Sequence, residues 1–153
     1  MTTPEDRLAA LGLSLPAVPA PVAAYVPAVR TGSLVFTSGQ IPTVDGVLRT
    51  KGKVGAEVTA EDAKQLARTC ALNALAAIRE LVGGLDQVAR VVKVVGFVAS
   101  APDFTGQPAV VNGASELLGE VFGDAGEHAR SAVGVAALPL DAPVEIELVV
   151  EIG

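Results

Sequence analysis

Residues 91–98 read Val91-Val92-Lys93-Val94-Val95-Gly96-Phe97-Val98, apolar on both alternations except at Lys93. Successive side chains of a strand point to opposite faces, so a strand written this way must be covered on both. The chain offers two helices for the task. The first starts at Thr59, whose hydroxyl can cap free N–H groups, with Asp62 three residues on. Ala63, Leu66, Ala67, Cys70, Ala74, Leu75, Ile78 and Leu81 then recur at spacings of three and four until Gly83-Gly84. The second opens at Pro108 and carries Val111, Ala114, Leu117, Leu118, Val121 and Phe122 to Gly123. Two helices cover one face of a sheet. The other face needs a different cover, and an identical subunit is the economical one.

The remaining elements fit around that strand. Residues 144–152 alternate most regularly, with Val144, Ile146, Leu148, Val150 and Ile152 on one face and Glu145, Glu147, Val149 and Glu151 on the other. Residues 25–30 and 33–40 read as strands joined at Thr31-Gly32, and 47–50 as a brief edge strand after the Asp45-Gly46 turn. A strand entered by Arg130 follows the second helix. The order strand, strand, helix, strand, helix, strand, strand is an α+β layer of two helices on one mostly antiparallel sheet. Before it, residues 4–13 form a short amphipathic helix. The prolines at 16, 19 and 21 then impose an extended run. Residues 1–20 are therefore expected as an arm and 21–153 as a single domain, the usual size for 153 residues.

Charge narrows the function. Eleven basic residues stand against 17 acidic ones, and no basic cluster exceeds the pair Lys51 and Lys53, which argues against nucleic acid as a partner. One cysteine, Cys70, excludes an internal disulfide, and with one histidine, His128, it leaves no metal-ligand spacing. Cys70 falls on the apolar face of the first long helix and reads as an inert buried thiol. No apolar run approaches the ~20 residues of a membrane span. The N-terminus carries Glu5 and Asp6 where a secretory signal would be basic, so a cytoplasmic protein is expected.

The candidate chemistry lies between 127 and 147. Arg130 stands at the mouth of one strand and Glu145 on the next, in a stretch with little other charge. A guanidinium stays charged and matches a planar carboxylate with two parallel hydrogen bonds, which points to an acid-bearing small molecule. Plainer readings stand beside this one. Arg130 can pair with Glu127, Glu145 or a neighbouring subunit, and Glu145 shares its face with Glu147 and Glu151 as a solvated face would. Burial would raise the Glu145 pKa and a nearby Arg130 would lower it, and the sequence leaves the sum open. Histidine is a general acid and base near neutrality, but His128 sits in a loop flanked by Asp124 and Gly126 and reads as a surface or loop-packing residue.

An ordered set of motifs carries a family resemblance over residues 20–152. It comprises Tyr25, then Thr37-Ser38-Gly39-Gln40-Ile41-Pro42, then Gly83-Gly84-Leu85-Asp86-Gln87-Val88. Arg130-Ser131, Leu138-Pro139 and Val144-Glu145-Ile146-Glu147 complete it. Together they resemble the Rid family, also called the YjgF family. The resemblance implies a chorismate-mutase-like protomer and a homotrimer with clefts between subunits. It also implies hydrolysis of 2-imino or enamine acids to 2-keto acids and ammonia, without metal or organic cofactor. By the same resemblance Arg130 grips the substrate carboxylate and Glu145 positions the attacking water. Tyr25 and Ser38 line the cleft, and Gly39 offers a backbone contact. Ala132 stands where the deaminase branch of the family carries cysteine, and Gly134 replaces a larger side chain. A non-catalytic binder of small carboxylic acids is the alternative, and an endoribonuclease a lesser one.

Overall fold

The computed structural model describes residues 2–18 and 24–153. A helix α1 (Pro4–Ala10) is followed by strands β1 (Ala28–Thr31) and β2 (Leu34–Thr37), helix α2 (Ala60–Val82) and strand β3 (Val88–Ala99). Helix α3 (Gln107–Phe122), strand β4 (Ala129–Val135) and strand β5 (Val144–Ile152) complete the chain. The sheet runs β1-β2-β5-β3-β4, antiparallel throughout except for the parallel pair β3 and β4, which the α3 crossover joins. This is the expected α+β layering.

Local chemistry sets the ends of the helices. The Thr59 hydroxyl accepts from the Asp62 N–H at 3.1 Å, and Gly83 closes α2 in the left-handed region at φ 94°. One face of the sheet lies under α2 and α3. Val35, Val91, Val94, Val98, Val144, Ile146, Leu148 and Val150 are buried there against Ala67, Cys70, Ala71 and Ala74 of α2. A side chain at Gly96 would collide with the γ-methyls of Val111, so the glycine of β3 is what lets α3 settle on the sheet.

The other face is open in the protomer. Val29, Phe36 and Val133 are 51%, 40% and 44% exposed, and Val95, Phe97 and Val149 are half-buried among Lys93, Glu145, Glu147 and Glu151. The two-sided apolar pattern of residues 91–98 therefore corresponds to one covered face and one uncovered face.

Three expectations need correction at the first hairpin. β1 begins at Ala28 rather than 25, and β2 stops at Thr37 rather than 40, because the Thr37 hydroxyl accepts the Leu148 N–H at 3.0 Å and takes the place of the ladder. Pairing with β5 resumes only at Gln40, which exchanges hydrogen bonds of 2.8 and 3.0 Å with Ile146. Three residues thus oppose two, and Ser38-Gly39 arches out of the sheet as a bulge does. The edge strand expected at 47–50 reduces to a bridge between Val44 and Val47 around Asp45-Gly46. Asp45 sits at φ 53° and Gly46 at φ 76°, a tight turn with nothing beyond it to extend the pairing.

Helix α1 is docked. Thr3 and Asp6 form a capping box, and Leu8 is buried. The Glu5 carboxylate accepts the Leu85 N–H at 2.8 Å, and the Arg7 guanidinium donates to the Val121 carbonyl near the end of α3 at 3.3 Å. Pro19 and Pro21 of the expected extended run lie outside the described residues. Among the described residues no helix is long and apolar enough to cross a membrane.

Candidate functional site

Strand register decides which candidates meet. Arg130 is in register with Val94, whose side chain is buried beneath the helices, so Arg130 projects on the helix side of the sheet at its β4 edge. There it meets α3. Its Nη1 donates to Asn112 Oδ1 at 2.7 Å and to Ser115 Oγ at 3.3 Å. Asn112 and Ser115 are three apart on a helix and share a face, just as Arg130 and His128 are two apart along an extended chain. The His128 ring follows suit: Nε2 lies 2.9 Å from Ser115 Oγ and Nδ1 lies 2.6 Å from the Gly126 carbonyl oxygen. A carbonyl only accepts, so Nδ1–H donates there, and in the tautomer with the proton on Nδ1 alone Nε2 accepts from the Ser115 hydroxyl. His128 is thus half-buried and bonded at both nitrogens. Its sequence reading as a loop-packing residue omitted the serine.

The guanidinium is half-buried, and both protein partners of Nη1 are neutral. Among the described residues, the ion pairs are Lys53 with Asp141, Lys64 with Glu116 and Arg68 with Glu120; Arg130 is in none of them. The plainer expectation of a pair with Glu127 or Glu145 within the chain is therefore not what the protomer forms. A partly desolvated cation without a counter-ion favours an anionic ligand.

Glu145 lies elsewhere. It is in register with Phe97, three residues along β3 from Val94, and projects to the open face. β3 separates β4 from β5, so the two Cα atoms are about 14 Å apart on standard strand spacings, with their side chains on opposite faces. The picture of Arg130 and Glu145 on neighbouring strands is corrected accordingly.

What surrounds Glu145 is the bulge of β2. An added Cβ on Gly39 would stand 2.5 Å from Glu145 Oε2, so only glycine lets the carboxylate rest against that backbone. Ser38 donates from Oγ to the Val26 carbonyl at 2.6 Å, while its N–H donates to the Pro27 carbonyl at 2.8 Å. The bulge is thereby tied to the segment that carries Tyr25, itself half exposed. Gly39 and Glu145 thus belong to the face of the sheet opposite Arg130, with Ser38 in the same bulge. Burial pushes the Glu145 carboxyl above the ordinary range, with Glu147 adding to it, which resolves the sum left open by the sequence in the protomer.

Neither Asn112 nor Ser115 was a sequence candidate. The available signal was a pair of polar residues three apart in α3, interrupting its apolar run. Ala132 and Gly134 share the helix side with Arg130, and Ala132 packs against the core. Cys70 is buried with Sγ 3.7 Å from the Val144 carbonyl oxygen, and burial raises its thiol pKa well above the ordinary value, with Glu145 adding to it. It is therefore no nucleophile. No group of three or more His, Cys, Asp or Glu suited to a metal occurs among the described residues.

Comparison with known proteins places this geometry in context. The model of the family described as YjgF/chorismate mutase-like, putative endoribonuclease, matches residues 5–152. Protein TCP17 of Trypanosoma cruzi is 45% identical over 147 residues, covering 95% of this chain and 92% of that protein. A 2-iminobutanoate/2-iminopropanoate deaminase of Salmonella typhimurium is 40% identical over 131 residues, covering 86% of this chain and 89% of that one. Among solved structures, the protein Atu1372 of unknown function from Agrobacterium tumefaciens superposes with a TM-score of 0.91 at 45% identity, covering 98% of this chain and 92% of that one.

Proposed function

The chain belongs to the YjgF/chorismate mutase-like family, and from that premise we propose that it hydrolyses reactive 2-imino and enamine acids to 2-keto acids and ammonia. The observation that carries the reading is Arg130: a half-buried guanidinium whose protein partners are neutral, suited to a substrate carboxylate. The named activity of the Salmonella relative supports the reaction type.

The chemistry asks little of the protein. The C=N carbon of an imino acid is already electrophilic, so orientation of the carboxylate and of one water accounts for most of the gain. In this reading Glu145 takes a proton from the water as its oxygen bonds to C2, giving a tetrahedral carbinolamine. Glu145 returns that proton to the nitrogen, the C–N bond breaks to release ammonia, and the hydroxyl gives up its proton to Glu145 as C2 becomes the ketone carbon. Tyr25 and Ser38 line the cleft, and the Gly39 backbone faces the ligand.

One protomer does not bring Arg130 and Glu145 together, so the reading takes the cleft to be shared between copies. The exposed apolar residues Val29, Phe36 and Val133 on the Glu145 face support burial of that face against another subunit, in a homotrimer with Arg130 contributed by a neighbour. RNA cleavage fits less well, since the net charge is −6 and Lys53, Lys64 and Arg68 are already paired with acids.

The test is the hydrolysis of 2-iminobutanoate generated in situ, with wild type, R130A and E145Q compared, followed by unfolding and refolding the two variants together. Each variant alone is expected to be inactive. Random mixing in a trimer leaves about one site in four with both residues intact, so about a quarter of the wild-type rate should return. Inactive mixtures would place the reacting residues within one chain or exclude their pairing. A wild type that binds 2-keto acids through Arg130 without turnover would make the protein a binder.

A further inference from the structure

The Gly126 carbonyl, His128, Ser115, Arg130 and Asn112 form one continuous hydrogen-bonded chain, whose direction follows from the Nδ1–H tautomer of His128. His128 Nδ1–H donates to the Gly126 carbonyl. Ser115 Oγ–H donates to His128 Nε2, and this commits the serine oxygen to act as an acceptor. Arg130 Nη1 then donates one proton to that oxygen and its other proton to Asn112 Oδ1. A guanidinium has five N–H donors in a rigid plane, so engaging both protons on Nη1 sets the orientation of the whole group. The remaining donors, on Nε and Nη2, form the edge that matches a carboxylate side-on. Among the described residues no protein group accepts from that edge.

We propose that Ser115 and His128 are positioning residues that lock the Arg130 guanidinium with its Nε/Nη2 edge presented to a ligand carboxylate; this rests on the carboxylate-gripping reading of Arg130 above. The role of His128 is to orient the serine hydroxyl. With the imidazole absent, the Ser115 proton is released to rotate, and its oxygen no longer faces Nη1 by necessity. Such a chain strengthens each member by polarisation, and its loss at one end is felt at the other. The ordering matters most for recognition of a planar, charged group, because a guanidinium turned about its long axis still supplies charge but no longer two parallel bonds.

The experiment titrates the folded protein with 2-oxobutanoate and with 2-oxobutanamide, which differ in the carboxylate, for wild type, R130A, S115A, S115T and H128L. Wild type should prefer the acid and R130A should lose that preference. S115A and H128L should weaken binding of the acid by about tenfold while leaving the amide unchanged, and S115T, which keeps the hydroxyl, should behave as wild type. A merely structural role would lower affinity for both ligands together, and that result overturns the proposal. If R130A loses the preference while S115A and H128L retain it in full, the positioning role falls and the grip stands. A wild type without preference for the acid, or an R130A indistinguishable from it, overturns both. Thermal unfolding of each variant identifies any that fail to fold, and in that case the conservative S115T carries the comparison: loss of the preference in a folded S115T counts against the proposal.

Discussion

Gly39→Ala moves the Glu145 carboxylate without altering its chemistry. The backbone of Gly39 is not in the left-handed region, so alanine meets no conformational penalty there. Its Cβ would stand 2.5 Å from Oε2, 2.7 Å from Cδ and 3.0 Å from Cγ of Glu145. Bringing the closest pair to an ordinary contact of about 3.4 Å requires the carboxylate to withdraw by about 0.9 Å (3.4 minus 2.5). A misplacement of about 1 Å in a reacting group costs on the order of a hundredfold in rate. That corresponds to about 2.7 kcal/mol in the barrier. Stability should hardly change, because alanine restricts the unfolded chain by about 0.4–1 kcal/mol, which offsets part of the local crowding. The assay is imine hydrolysis beside a thermal unfolding curve. A folded Gly39→Ala protein that works at the wild-type rate would refute the reasoning, for it would mean that the seat of Glu145 on the bulge has no bearing on the chemistry.

The remaining expectations concern titration, reactivity and packing. Since burial raises the Glu145 pKa, the acid limb of the wild-type rate profile should lie above the ordinary carboxylate range, and a limb within that range would contradict the role of Glu145 as the base. The same shift has a stability sign: between the unfolded and folded pKa the native state holds more protons, so stability falls as pH rises through that window. Urea unfolding against pH checks this, and a wild type that gains stability over Glu145→Gln there contradicts it. Cys70 should resist alkylating and disulfide reagents in the native protein and react only on unfolding; rapid native labelling would contradict its burial. Leu8→Ala should cost about 2–3 kcal/mol in chemical denaturation by emptying the seat of α1, and no loss would mean that this helix adds nothing to the domain's stability.

Much of the fold was legible because it rests on local periodicity and local caps. Thr59 and Gly83 bound α2 where the capping chemistry requires, Gly123 stops α3, and the alternation of residues 144–152 is the burial pattern of β5. The hairpin was less legible. Nothing in Thr37 announces that its hydroxyl takes a backbone N–H 111 residues away, and it is that bond which ends β2 and raises the bulge beneath Glu145. The identities of Arg130 and Glu145 as candidates came from charge in an apolar setting together with the family resemblance. Asn112, Ser115 and His128 joined the site only once α3 was laid beside β4.

By itself, then, the sequence determined the two long helices and the strands of residues 91–98 and 144–152, which face of each helix is apolar, and the family to which the chain belongs. These follow from side-chain spacing over a few residues, where the period of the backbone leaves little choice. Tertiary structure alone decided that β3 inserts between the consecutive strands β4 and β5, and that Arg130 and Glu145 look out from opposite sides of the sheet. The physical reason is that strand order is set by long-range packing. The α3 crossover makes β4 parallel to β3 on one side, the core then admits β5 on the other, and a residue's face follows from that register rather than from its neighbours in sequence.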